Sequence, residues 1–283
     1  MSNYKKRRHS SGGYSHPPKK GNTGAKIVKG IAIVMAAFAG ISLLVSIMSH
    51  RLPSEEKPTE PAPTVGTKVS YAWAERTYQW PIDKSVADGF LTLTQTQGSS
   101  TTSSNCTQLY LTSAEDDSVY IPEWTDFTVD MKLKVASCET RTEFSLMGRL
   151  HTNEDGSFSY YEIKFRTDTN AVYLFKTTVD STGYKNYTMQ AMMDQVFTND
   201  EFHLLRVRFT GNTVEIFVDD FARPCLIYED FAPFASGTVG VDLARLGIAT
   251  VDYIKVCDSD NVIFMDDFTD ARYFPAESSE ATE

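Results

Sequence analysis

The sequence predicts an all-β fold, a two-sheet antiparallel sandwich, preceded by one transmembrane helix. From about Val69 to Phe268 the chain runs in short segments that alternate apolar and polar residues. Turn signals such as Gly211-Asn212 separate these segments. Ahead of them stands Gly30–Ser49, twenty residues without a charge.

At about 1.5 Å per residue, a helix over the uncharged run spans roughly 30 Å, the thickness of a bilayer's hydrocarbon core. A single segment in lipid must satisfy its own backbone, and a helix does so. Eight lysines and arginines, from Lys5 to Lys29, precede the run, and no acid occurs before Glu55. That bias places the N-terminus in the cytoplasm and the C-terminal part outside, a single-pass type II arrangement in the cell membrane. A cleaved signal peptide would carry a shorter apolar core with a small-residue site behind it. Here the best small-x-small triplet, Ala37-Phe38-Ala39, lies mid-run. The domain plan is a disordered basic tail over 1–25, a span over 26–49, a linker over 50–66, a β-domain over 67–272 and a disordered tail over 273–283. The linker holds four prolines and three glutamates, a composition that stays extended.

The 283 residues are 41% hydrophobic and 23% charged, ordinary globular composition. Nine of the 27 basic residues lie at or before Arg51, and all 37 acidic residues lie after it. The outer part therefore sets 18 basic against 37 acidic residues, a net charge of −19. Such a surface repels phosphates, so nucleic acid is not an expected partner. The basic tail serves as a topology signal and can touch the anionic inner leaflet. The four cysteines, Cys106, Cys138, Cys225 and Cys257, all lie in the outer part, where three pairings are open. Cys225 and Cys257 are candidates to meet across neighbouring strands, with buried free thiols as the alternative. No CxxC spacing and no nearby histidine supports zinc.

Within the domain, Phe127–Val135 alternates cleanly, with Phe127, Val129, Met131, Leu133 and Val135 on one face. Phe202–Phe209 and Val214–Val218 repeat the pattern around Gly211-Asn212, a two-residue hairpin signal. Further strands are predicted over Phe90–Gln95, Ser118–Pro122, Phe144–His151, Tyr160–Arg166, Ala171–Val179, Gly237–Leu243, Ala249–Cys257 and Asn261–Phe268. Met189–Val196 reads as one short helix. About eleven strands in some 200 residues indicate two packed sheets.

The second half resembles the end of concanavalin A-like, laminin-G-like jelly rolls. The likeness rests on Phe202–Thr210, Gly211-Asn212, Val214–Asp220, Gly237-Thr-Val-Gly-Val241 and Val251–Val256, with Trp124–Asp130 and Leu146–Arg149 before them. It is nearest to bacterial domains of the 3-keto-disaccharide hydrolase or family-sixteen-glycosidase-like type. The resemblance implies a jelly-roll sandwich and a carbohydrate-related function. One departure is Val262–Phe268, a type of segment that usually opens such a domain and here comes last.

The family-sixteen catalytic signature, Glu-x-Asp-x-Glu on one strand, does not occur. Glu115-Asp116-Asp117, Asp219-Asp220 and Asp266-Asp267 place neighbouring carboxylates on opposite strand faces, a poor catalytic pair. No Gly-x-Ser-x-Gly, His-Glu-x-x-His or phosphate loop is present. No cofactor is expected; calcium is the one cation that Asp219, Asp220, Asp266 and Asp267 would suit, as hard oxygen ligands. Sugars need polar groups beside aromatic platforms. Strand parity puts Arg149, His151, Tyr160, Glu162 and Tyr173 on one sheet face, the candidate ligand site. Trp73, Trp80 and Trp124 read as core. Asn105-Cys-Thr107 and Asn186-Tyr-Thr188 match glycosylation sequons. The expected function is a membrane-anchored extracytoplasmic binding module for carbohydrate or a cell-envelope polymer, without catalysis. The alternatives are a glycan-processing hydrolase and a structural or protein-binding envelope component.

Overall fold

A computed structural model describes residues 70–97, 106–115, 118–136 and 141–274. The predicted basic tail, span and linker, and residues 275–283, lie outside the described residues. Two antiparallel sheets make up the fold. In the first sheet, β1 (Ser70–Arg76), β4 (Gln108–Glu115), β14 (Thr238–Ala244), β7 (Glu143–Thr152), β8 (Phe158–Arg166), β9 (Ala171–Val179) and β10 (Lys185–Met193) follow in that order, and β5 (Ser118–Tyr120) pairs with β4. In the second, the order is β13 (Leu226–Glu229), β12 (Thr213–Val218), β11 (His203–Thr210), β6 (Phe127–Val135), β15 (Gly247–Asp258), β3 (Phe90–Gln95) and β2 (Asp83–Ala87). The last strand, β16 (Asn261–Asp266), pairs with the far end of β15.

The alternating runs dictate this layering. Val129, Met131 and Leu133 of β6 and Val207 and Phe209 of β11 turn toward Leu146, Ile163 and Leu174 of the first sheet, and all are buried. The sheets touch closely where Gly148 faces the Phe209 ring: a Cβ there would lie 2.2 Å from the ring carbon. The predicted hairpin forms between β11 and β12, with Thr210 opposite Thr213 and Gly211 at φ 53. That positive φ is why glycine stands there.

The predicted helix over Met189–Val196 is not formed. Lys185–Met193 is an edge strand paired with β9, and a bulge separates Met189 from Ala191. The bulge puts Met189 and Met192 on the same face three residues apart, a spacing that imitates a helical period. Cys225 and Cys257 do not meet either. Cys257 lies on β15 opposite Thr128 of β6, while Cys225 hydrogen-bonds through its backbone to Ile216 of β12. Strands β6 and β11 stand between them, and both thiols are free.

The first and last strands are tied together. The Trp73 indole donates to Asp266 Oδ2 at 2.9 Å, and its backbone N–H donates to the Tyr273 carbonyl at 2.7 Å. Phe264 and Phe274 flank the same indole, at 6.0 and 6.2 Å between ring centres. Tyr273 and Phe274 thus belong to the packed domain, although the sequence reading ends it at 272.

Burial, with the adjacent Asp267, pushes the Asp266 carboxyl up to about 6 against the donors Trp73 and Phe268. The folded value exceeds the unfolded one, so this stabilisation is complete below about pH 4 and is lost as pH rises through 6. His203 is buried, which lowers its pKa, but its bond to Asp219 outweighs that and raises it, so its contribution is lost on the alkaline side as well. The ion-paired Glu162, Glu143 and Asp130 have lowered values, so their stabilisation fails as pH falls below about 4.5. The thermal midpoint is expected to peak near pH 5 and to fall by several degrees toward pH 7. Asp266→Asn removes the part of that fall below about pH 6.5; an unchanged slope in this variant, read by calorimetry, would refute the assignment.

Candidate functional site

The five predicted ligand residues do not share one surface. A β-bulge between Gly148 and His151 shifts the pairing of β7 with β8, and Arg149 sits at φ 49 within it. A one-residue slip exchanges the two faces of a strand. Leu150 therefore joins Met147 on the outer face, and His151 turns inward against Phe234, 5.3 Å between ring centres. Arg149 reaches the end of the sandwich, where its guanidinium donates to the carbonyls of Thr125 (2.9 Å), Gly211 (2.7 Å) and Phe234 (2.8 Å) and to Asp126 (3.3 Å). It is 1% exposed and holds loops together.

Tyr160, Glu162 and Tyr173 do lie on the outer face of the first sheet, but that face is an interior. Lys185 on β10 contacts Asp242 on β14, four strand spacings away in the sheet order. Four spacings of about 4.8 Å would put the strands roughly 19 Å apart in a flat sheet, beyond the reach of a lysine. The sheet therefore curls over its own outer face. Tyr78 closes one end: a Cβ on Gly183 of the β9–β10 turn would lie 2.5 Å from its ring. Within the curl, Glu162 accepts from Ser145 (2.9 Å) and Thr177 (2.9 Å) and pairs with Lys164 and Lys185, both at 3.3 Å. Lys164 also pairs with Glu143 (3.2 Å), which meets Arg245 (2.9 Å). Gln108 donates to the Tyr160 hydroxyl at 2.8 Å.

Burial alone would raise Glu162, yet Lys164 and Lys185 hold it down at about 2. The same pairing raises both lysines against their burial. Glu162 is thus held as an anion, whereas burial pushes Asp242, beside Lys185, the other way, and the cluster forms a charged second core. Tyr173 lies beside it, stacked on Phe175 with the rings 17° apart and with Arg166 over its ring at 4.9 Å.

The predicted calcium carboxylates do not converge. Asp219 binds His203 and the Leu204 N–H, Asp220 caps Ala222, Asp266 holds Trp73, and Asp267 caps Thr269. Among the described residues, no three His, Cys, Asp or Glu side chains stand close enough to hold a metal. Of the sequons, Asn186 is exposed on β10, and Asn105 lies outside the described residues.

The open site is on the opposite sheet. A cavity of about 530 Å³ lies on the outer face of β11, β6 and β15 and ends at the β15–β16 turn. Strand register sets two rows across its floor: Arg206–Asp130–Lys255 and Arg208–Thr128–Cys257. Asp130 is 4% exposed at its side chain and accepts from Arg206 Nε (2.6 Å) and Nη2 (2.9 Å) and from Lys255 (2.8 Å). Burial would raise Asp130, but these two cations lower it. Arg206 stacks over Phe221 at 4.2 Å, and Arg208 pairs with Glu215 at 3.1 Å. Asp126, Thr210, Ser259 and Asp260 complete the wall. This volume suits a small ligand, and its lining sets the fixed Arg206, Asp130 and Lys255 beside Phe127, Phe209 and Val262. The sequence marks these residues only as the polar faces of alternating runs; the adjacency of β11, β6 and β15 is what gathers them.

No family model matches this chain, and no curated protein matches it. Among solved structures it is similar to a carbohydrate-binding module, CBM66, from Bacillus subtilis (15% identity over 68% of this chain and 93% of that one, TM-score 0.44). It is also similar to a Bacillus subtilis protein of unknown function with a galectin-like fold (11% identity, 65% and 88%, TM-score 0.45). A third is a lichenase from a mouse hindgut metagenome (13% identity, 64% and 91%, TM-score 0.43). Scores this low carry no functional assignment.

Proposed function

We propose that this chain is a non-catalytic binding module held outside the cell membrane by its N-terminal span, and that it binds carbohydrate in the cavity of the second sheet. The observation that carries this reading is the row Arg206–Asp130–Lys255, a buried carboxylate with two cations fixed at the floor of a ligand-sized opening. Planar groups with fixed donors and acceptors suit vicinal hydroxyls. Asp130, lowered by both cations, does not act as a proton donor. The long uncharged run, its basic flank and the acidic outer part support the extracytoplasmic placement.

The test is a glycan array probed with the full chain in detergent, followed by titration of the strongest binder. Arg208→Ala is expected to weaken binding tenfold or more while the melting temperature moves little, and Lys255→Met to weaken it as much while lowering the melting temperature, because the buried Asp130 keeps only Arg206. No binding to any glycan, or binding untouched by both substitutions, would overturn the proposal.

A further inference from the structure

Inside the curl of the first sheet, a primary amine and a carboxyl group are held against each other out of reach of solvent. Lys185 Nζ contacts Asp242 Oδ2, and the two side chains are 1% and 0% exposed. They stand on β10 and β14, 57 residues apart in the chain. A second carboxylate, Glu162 on β8, reaches the same nitrogen through Oε1 at 3.3 Å and is as deeply buried. Ser145 and Thr177 fix it there.

The two carboxylates are not alike. Glu162 accepts from two hydroxyls and faces two lysines, which keep it charged. Asp242 meets Lys185 through Oδ2, while its Oδ1 accepts no hydrogen bond and burial pushes the carboxyl up. Nothing at Oδ1 favours the charged form. Lys164 also meets a buried carboxylate, Glu143, but Arg141 and Arg245 bind that one and keep it charged. The lysines of the Lys176–Asp230 and Lys255–Asp130 pairs are about one-fifth exposed, so water reaches them.

We infer that Lys185 and Asp242 condense into an intramolecular amide, with Glu162 carrying the proton, so that β10 is covalently tied to β14 across the curl. The ion pair is the state before the bond. The Lys185 ammonium passes one proton to Asp242 Oδ2, which turns two buried charges into a neutral amine and a neutral acid. The lone pair freed on Nζ attacks the carboxyl carbon, and a C–N bond forms. With Lys185 no longer an ammonium, Glu162 keeps one cation, Lys164, and becomes a stronger base. It takes a second proton from Nζ and hands it to the departing Oδ2 hydroxyl. The C–O bond breaks and one water leaves; nothing is oxidised or reduced. Both groups are held in place, so the step is intramolecular. The buried site also excludes the water that the reverse reaction needs.

The test is the intact mass of the full chain, purified in detergent and then denatured. Wild type is expected to be lighter than its sequence mass by one water. Its tryptic digest should hold a branched peptide that joins the segment around Lys185 to the segment around Asp242. Lys185→Arg and Glu162→Gln should both have the sequence mass and lack that peptide. Wild type should also unfold at higher urea than Lys185→Arg, because a cross-link restricts the unfolded chain. A wild-type chain at its full sequence mass would overturn the inference, and this result decides even where a variant fails to fold. Loss of water that persists in Lys185→Arg would overturn it too, and a branched peptide in Glu162→Gln would overturn the role of Glu162.

Discussion

Glu162→Ala is expected to destabilise the domain by about 3–5 kcal/mol, the scale of breaking a buried ion pair from one side. Lys164 and Lys185 are both buried, and each reaches Glu162 at 3.3 Å. Without it, they keep only Glu143 and Asp242 as carboxylate partners, and one oxygen of Asp242 already accepts no hydrogen bond. Ser145 and Thr177 lose their acceptor too. Urea unfolding of the two proteins reads the difference directly. A loss below about 1 kcal/mol, the scale of an exposed pair, would show that water reaches the cluster and that the first sheet does not close over it.

The second large effect is at Arg149. Arg149→Met keeps much of the volume and removes every donor, so the carbonyls of Thr125, Gly211 and Phe234 lose a charged partner together. Thr125 and Gly211 are exposed and Phe234 is half-buried, so water replaces part of what the carbonyls lose, and the expected loss is about 1–3 kcal/mol, the scale of a hydrogen bond to a charged group. The residue also sits at φ 49, a conformation with its own cost for a non-glycine side chain. Arg149→Lys should recover little, because one ammonium does not reproduce the fork that reaches three loops. Full stability in Arg149→Lys would show that charge alone matters there. Since Asp126, which Arg149 holds, borders the cavity, ligand affinity should fall in both variants.

The sandwich was legible because its strands alternate. Phe127–Val135 and the hairpin around Gly211 carry period and turn together, and both form as read. Where alternation breaks, so does legibility. The bulge at Gln190 disguises an edge strand as a helix, and the bulge at Arg149 reverses the faces that parity assigns to Leu150 and His151. Strands β1, β2, β4 and β13 are not predicted at all; Ser70–Arg76 mixes alanines and charges, and its place is fixed by Trp73 meeting Asp266 across 193 residues. The candidate face was readable as a set of outward positions on β8 and β9, but curvature is not written in period two. A strongly curled sheet turns its outer side into an inner one, and the polar residues there become a charged core.

The seam between β1 and the end of the domain has a consequence for biogenesis. Trp73 is among the first residues of the domain to leave the ribosome, whereas Asp266, Tyr273 and Phe274 are among the last. Until those last residues are made, the indole lacks its Asp266 acceptor, and the outer edge of β1 stays open. Closure therefore waits until the chain has been made through Phe274. A nascent chain stalled before Asp266 would keep that edge open to chaperones and proteases, and extension through Phe274 would close it.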